Sequence, residues 1–250
     1  MPKPLLIVLI IVAAVAIAVL IYFAVMAKKI KSAKYVLPEG FTVTAHTGSM
    51  GTKDNSMKSI EVGAANAPVI EFDVRFLKDG KPIVSHNEPK DNDFITVSQA
   101  FEALSKLEGT KANVDIKTTD NLPEVQALAE KWGVLDRIFF TGINGNFVEA
   151  VKRDCPKISY YLNFNVDPSR NKDSEYLKSV AELVKKSGAV GLNTNFRFAN
   201  KEVVEAMHRE NILVSLWTAK SKGQIYKILS LSPDNITTRK PDLVRQMIEK

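Results

Sequence analysis

Two imidazoles and three carboxylates carry the chemistry in this sequence. Glu71 and Asp73 stand two apart in the run VIEFDVRF, so in a strand both side chains share one face. Val69, Ile70, Phe72 and Val74 surround them with apolar residues, and Asp115 and Lys117 repeat the spacing in NVDIK. Two carboxylates turned into a barrel repel each other and lose hydration unless a cation or a donor compensates. Two compensations are open. Glu71, Asp73 and Asp115 converging form an all-oxygen site suited to Mg²⁺ or Ca²⁺. Alternatively, Lys117 neutralises the acids as an internal salt bridge with no metal. His46 ends the run FTVTA and His86 ends KPIVSH. An unperturbed imidazole pKa of about 6.5 suits proton transfer at neutral pH. The third histidine, His208, lies in a helical pattern and reads as a solvated surface residue.

The surrounding pattern predicts what positions these groups. Nine short β-branched runs follow Tyr35, from FTVTA to DNITT, and amphipathic stretches with apolar residues three and four apart lie between most of them. Asp173-Ser174, Asn200 and Pro241 are helix-start signals. Strand–helix alternation implies a parallel sheet, and eight units close as a barrel whose strand C-terminal ends form the active-site face. Nine strands exceed eight places. Lys78-Asp79-Gly80-Lys81 resolves the excess as a hairpin joining VIEFDVRF to PIVSH. A turn centred on Asp79-Gly80 sets Asp73 opposite His86. The fold expected is α/β, a (β/α)8 TIM barrel preceded by one transmembrane helix.

The first residues are of another kind. Between Lys3 and Lys28 lie 24 residues without a charge. As a helix they span roughly 36 Å, enough for a hydrocarbon core of about 30 Å. The apolar region of a cleavable signal peptide is only about 7–15 residues, so an uncleaved anchor is the expectation. The division read from the sequence is a tail 1–3, a transmembrane helix 4–27 in contact with the lipid bilayer, a basic juxtamembrane linker 28–40 and a barrel domain 41–250. More Lys follows the span than precedes it, which favours a cytoplasmic domain on a single-pass cell-membrane protein. Residues 1–34 carry five Lys and no acid, while 35–250 carry 29 basic and 28 acidic groups. The net charge of +6 is therefore a membrane-flank effect, and nucleic acid is not an expected partner. Cys155 is the one cysteine, so there is neither an intrachain disulfide nor a Cys-His zinc pattern.

Ala45-His46-Thr47-Gly48, Asp54-Asn55-Ser56, Ile70-Glu71-Phe72-Asp73-Val74-Arg75, Lys78-Asp79-Gly80 and Ile83-Val84-Ser85-His86 occur in that order. Together they resemble the N-terminal signature of glycerophosphodiester phosphodiesterases. Asp115-Ile116-Lys117, Leu216-Trp217-Thr218 and the segment Asn235–Pro241 are similar to that family's later strands. The resemblance implies a phosphodiesterase-like TIM barrel with a divalent metal held by Glu71, Asp73 and Asp115. It makes His46 and His86 acid and base, sets Lys117 near the phosphate and makes Trp217 a wall of the site. It gives Asn55 the task of ordering the loop after the first strand. In the family pattern the substrate's glycerol hydroxyl can attack first, giving a cyclic phosphate.

Three departures stand out. The family's His-Arg is His46-Thr47 here, which removes a bidentate phosphate ligand. Its Glu-Asn-Thr is Asp54-Asn55-Ser56, and its third metal acid, usually Glu, is the shorter Asp115. One lost charge-assisted hydrogen bond costs on the order of 2–3 kcal/mol, and Arg75 is a candidate substitute. The expected function is metal-dependent hydrolysis of lipid-derived glycerophosphodiesters or lysolipids to an alcohol and glycerol phosphate. The alternative is a weak or inactive barrel that binds phosphodiesters or lipid headgroups as a regulatory module.

Overall fold

The computed structural model describes residues 3–90 and 93–249. Helix α1 (Lys3–Ser32) opens the chain. Its stretch Ile10–Ser32 is long and apolar enough to cross a membrane. The apolar side chains from Ile10 to Val25 are exposed, and Ile30 is buried against the domain. The chain after α1 is held down: the Tyr35 ring packs edge-on to Tyr226 at 6.4 Å, and Ser232 donates to the Val36 carbonyl at 2.7 Å.

Eight parallel strands follow: β1 (Thr42–Ala45), β2 (Val69–Phe76), β5 (Lys111–Ile116), β6 (Ile138–Ile143), β7 (Tyr160–Asn163), β8 (Gly191–Asn195), β9 (Leu213–Ala219) and β10 (Asn235–Thr238). β1 pairs with both β2 and β10, so the sheet closes into a barrel. The remaining strands, β3 (Pro82–Val84) and the two-residue β4 (Ile95–Thr96), extend β2 as an antiparallel ribbon. Among the described residues eight α-helices return the chain between strands or close it: α2 (Met57–Ala64), α3 (Val97–Ser105), α4 (Leu122–Lys131), α5 (Val148–Asp154), α6 (Ser174–Ser187), α7 (Lys201–Arg209), α8 (Lys222–Leu229) and α9 (Pro241–Ile248). All nine strands read from the sequence form, and β4 is an addition too short to carry a periodicity. The helix-start signals work as expected. Asp173 accepts from the Tyr176 amide, Asn200 accepts from the Val203 amide, and Pro241 opens α9.

The hairpin register differs by one from the sequence reading. Val74 faces Val84 and Arg75 faces Ile83. Three residues, Lys78–Gly80, make the loop, because Gly80 takes φ 83° and the Leu77 amide reaches the Lys81 carbonyl at 3.0 Å. Asp73 therefore lies opposite Ser85, whose amide donates to its carbonyl at 3.0 Å. His86 falls one residue beyond.

Strand alternation divides the residues into two layers. Ile70, Phe72, Val114, Phe140, Leu192, Val214 and Ile236 are buried on the helix side, where the main core sits. The barrel interior is polar instead. Asn235 Nδ2 donates to the Thr42 and Thr44 hydroxyls, both at 2.8 Å, and the Ser215 hydroxyl donates to Asn235 Oδ1. Thr141 donates to Asn113 at 2.6 Å, and Asn193 to Asn163 at 3.0 Å. Buried polar groups need such partners, and here neighbouring strands supply them to one another.

Candidate active site

Parallel pairing aligns Asp73 with Asp115 and then with Thr141 across β2, β5 and β6. Glu71 lies one inward step below Asp73. As a result, one oxygen from each of Glu71, Asp73 and Asp115 falls within 4.8 Å of the others. Glu71 and Asp73 are almost wholly buried, at 5% and 3% exposure. Burial raises the Glu71 pKa well above the carboxylate range, with the charges of Asp73 and Asp115 adding to the effect. Burial also raises Asp115, only partly offset by Lys117.

Lys117 reaches Asp73 Oδ1 at 2.8 Å and Asp115 Oδ2 at 3.0 Å. Burial works against its charge, but the two aspartates outweigh burial and raise its pKa. The internal salt bridge foreseen from spacing is therefore present. It does not satisfy the cluster, since Asp115 Oδ1 is buried without a hydrogen-bond partner among the described residues. Three hard oxygen donors, one of them orphaned, fit a divalent cation of the Mg²⁺ or Ca²⁺ kind. Gly142 on β6 makes room for the orphaned oxygen: it takes φ 77°, and a Cβ there would overlap Asp115 Oδ1 and the Ile116 backbone.

His46 follows β1 directly. Its Nδ1 lies 2.7 Å from the Thr47 carbonyl and 3.8 Å from Glu71 Oε2. A carbonyl only accepts, so Nδ1 carries the proton and Nε2 is the nitrogen left for chemistry. Burial lowers the His46 pKa, partly opposed by the Thr47 carbonyl. His86 is exposed at the rim, with Nδ1 3.1 Å from Asn87 Oδ1. Both imidazoles line one cleft of about 400 Å³ together with Glu71, Asp73, Asp115 and Lys117. Trp217 lines it as well.

Asn55 does not line this cleft, but it braces the cluster. Its Nδ2 donates to Asp73 Oδ2 at 2.7 Å and its Oδ1 accepts from the Asp73 amide at 3.0 Å. Asn55 has φ 54°, a left-handed conformation that asparagine tolerates. Arg75 does not replace the missing family arginine in the cleft; its Nε donates to the His86 carbonyl at 2.9 Å. Among residues at strand ends, Asn193 lines the cleft, whereas the Tyr160 hydroxyl bonds the Ser187 carbonyl and the Tyr161 ring lies tilted against Phe139 at 5.6 Å. His208 is not simply solvated, since Nε2 meets Asp234 Oδ2 at 2.8 Å.

Sequence reasoning missed Thr47 as a structural ligand. Its amide donates to Glu71 Oε2 at 2.7 Å and its hydroxyl accepts from the Asn55 amide at 2.6 Å. It also missed Asn113, Thr141 and Asn163 in the cleft wall. Polar residues two apart in strands, as in Asn113–Asp115 and Asn193–Asn195, were the available signal.

The model of the glycerophosphoryl diester phosphodiesterase family matches residues 44–92 and 87–243. The chain belongs to that family. No curated protein sequence matches it. Solved structures of similar fold include a glycerophosphodiester phosphodiesterase from Thermotoga maritima, at 20% identity and TM-score 0.65, covering 83% of this chain and 98% of that one. An enzyme of the same description from Parabacteroides distasonis is 17% identical, with TM-score 0.68 and coverage of 87% and 98%. An Oleispira antarctica phosphodiesterase, solved with the product sn-glycerol-3-phosphate, is also 17% identical, with TM-score 0.68 and coverage of 86% and 98%. At such identities the likeness shows the fold, and the carboxylates, imidazoles and lysine of this glycerophosphoryl diester phosphodiesterase family member gather at its barrel mouth.

Proposed function

We propose that this chain is a divalent-metal-dependent hydrolase of glycerophosphodiesters, held at a membrane by α1. The observation that carries the reading is one cleft holding three clustered carboxylates and two imidazoles, in a chain of this family. Glu71, Asp73 and Asp115 would hold the metal, which would supply positive charge to stabilise the anionic phosphate. Lys117 adds fixed positive charge at the same end of the cleft. One imidazole takes the proton of the attacking hydroxyl as its oxygen bonds to phosphorus. The other protonates the alcohol oxygen as the opposite P–O bond breaks. His46, with Nδ1 held by the Thr47 carbonyl, presents Nε2 for one of these transfers.

The anchor fits a barrel that works beside a bilayer. The chain enters β1 at the barrel end opposite the strand C-termini, so the tether and the reactive mouth occupy different ends. The Lys flank after the apolar stretch supports a cytoplasmic domain.

The test is alcohol release from a glycerophosphodiester panel by the full chain, with and without EDTA. His86→Ala is expected to lower turnover by about 10²–10⁴-fold, the range for losing a proton-transfer group, and Glu71→Gln to lower it by weakening the metal. Equal rates in wild type and both variants would sink the proposal. A second reading, a binding module without turnover, draws on Thr47 in place of the family arginine. Metal-linked stabilisation with no hydrolysis of any diester would favour it.

A further inference from the structure

Beyond His46, Trp217 and Thr218 the reaction cleft opens into a second cavity of about 270 Å³. Its other walls include Arg197, Lys220 and Arg239, and among the described residues no carboxylate lines it. Arg197 follows β8, Lys220 follows β9 and Arg239 follows β10, so three successive strand ends each deliver one cation. Among the described residues neither Arg197 nor Lys220 is in an ion pair, and both are exposed. Arg239 reaches Asp54 at 2.9 Å through one terminal nitrogen, yet its Nε is buried without a partner. Lys227 adds further positive charge 5.5 Å from the Phe196 ring that lines the cavity.

We infer that this side cleft binds a second anionic group, a carboxylate or phosphomonoester, carried by one alcohol of the phosphodiester substrate. The inference rests on the hydrolase reading and narrows it. Like-charged residues around a concavity attract an anion, and guanidinium groups match carboxylate and phosphate geometry. The joined clefts are bipolar, with the acid cluster at one end and cations at the other. His46 and Trp217 line both. A diester reacting beside His46 has one arm directed toward the cations. A cationic arm such as choline is repelled there, and a neutral one finds no charge to pair with.

The experiment compares kcat/KM of the full chain for glycerophosphocholine, glycerophosphoglycerol, glycerophosphoglycolate and glycerophosphoinositol 4-phosphate. Wild type is expected to favour the last two by about tenfold, equivalent to about 1.4 kcal/mol. Arg197→Ala with Lys220→Ala should erase that preference through KM, leave the glycerol diester within about twofold and not lower the rate on the choline diester. Lys220→Glu should favour the choline diester over the anionic ones. A uniform loss across all four substrates overturns the inference, because the cations would then hold the reacting phosphate itself. Turnover without ranking by charge overturns it too, while the hydrolase reading survives. If no diester is hydrolysed, the hydrolase reading fails, and titration with O-phosphoserine decides whether the cleft binds anions. Binding to wild type and not to the double variant supports an anion site, and equal binding or none excludes it.

Discussion

The Asn55 backbone amide donates to the Thr47 hydroxyl at 2.6 Å, joining the loop that braces Asp73 to the residue that braces Glu71. Thr47 is 2% exposed and stands where the family carries arginine. A side chain of that length cannot share the space without moving Asn55. Thr47→Arg is therefore expected to lower stability and not to raise activity. Thr47→Val, which replaces the hydroxyl with a methyl group and leaves the Asn55 amide without its acceptor, should cost about 1–3 kcal/mol. Thermal unfolding and kcat/KM for a glycerophosphodiester check both. A more active Thr47→Arg would contradict this role.

Gly142 is expected to be intolerant for two independent reasons. Its positive φ strains any side chain, and a Cβ would strike Asp115 and the Ile116 backbone. Gly142→Ala should destabilise the fold by about 1–3 kcal/mol. It should also weaken Mg²⁺ or Ca²⁺ binding by displacing Asp115. Calorimetric metal titration of the folded variant reads the second effect, and unaltered affinity would remove Gly142 from the site.

Metal-free stability should fall as pH rises. Burial lifts Glu71 and Asp115 above their usual values of 4.5 and 3.8, with partial opposition from Lys117 at Asp115. Between the unfolded and folded values the folded chain binds more protons than the unfolded one, so each unit of pH costs stability. The full penalty applies above the raised folded value. His46, whose folded value is lowered, acts oppositely, with stability gained as pH rises toward 6.5 and no further change above it. The loss with rising pH thus belongs to the acids, and the opposing gain to His46. Millimolar Mg²⁺ or Ca²⁺ should raise Tm more at about pH 8 than at pH 5.5, because the metal binds the deprotonated carboxylates. A metal effect independent of pH would contradict the carboxylate site.

Cys155 should be inert in the folded protein. It is buried, its thiol donates to the Leu122 carbonyl at 3.2 Å, and burial, with a contribution from Asp154, pushes its pKa to about 12. Thiolate is the reactive form. Alkylation at mildly alkaline pH should require denaturant, and rapid labelling of native protein would show the site to be open.

The sequence by itself determined the elements, the polarity of the first segment and the reactive set. Period-two and period-3.6 patterns are local, so every strand longer than two residues and every helix could be read from them. Glu71 and Asp73 sharing a face follows from strand alternation alone. Tertiary structure decided what depends on registry between distant segments. The left-handed Gly80 added one residue to the hairpin loop, which moved Asp73 from His86 to Ser85. Barrel closure placed Asp115 beside Asp73, brought Thr47 onto Glu71 and Asn55, and gathered Arg197, Lys220 and Arg239 around one cavity. No local pattern encodes such neighbours, because each contact is set by how eight strands close on one another.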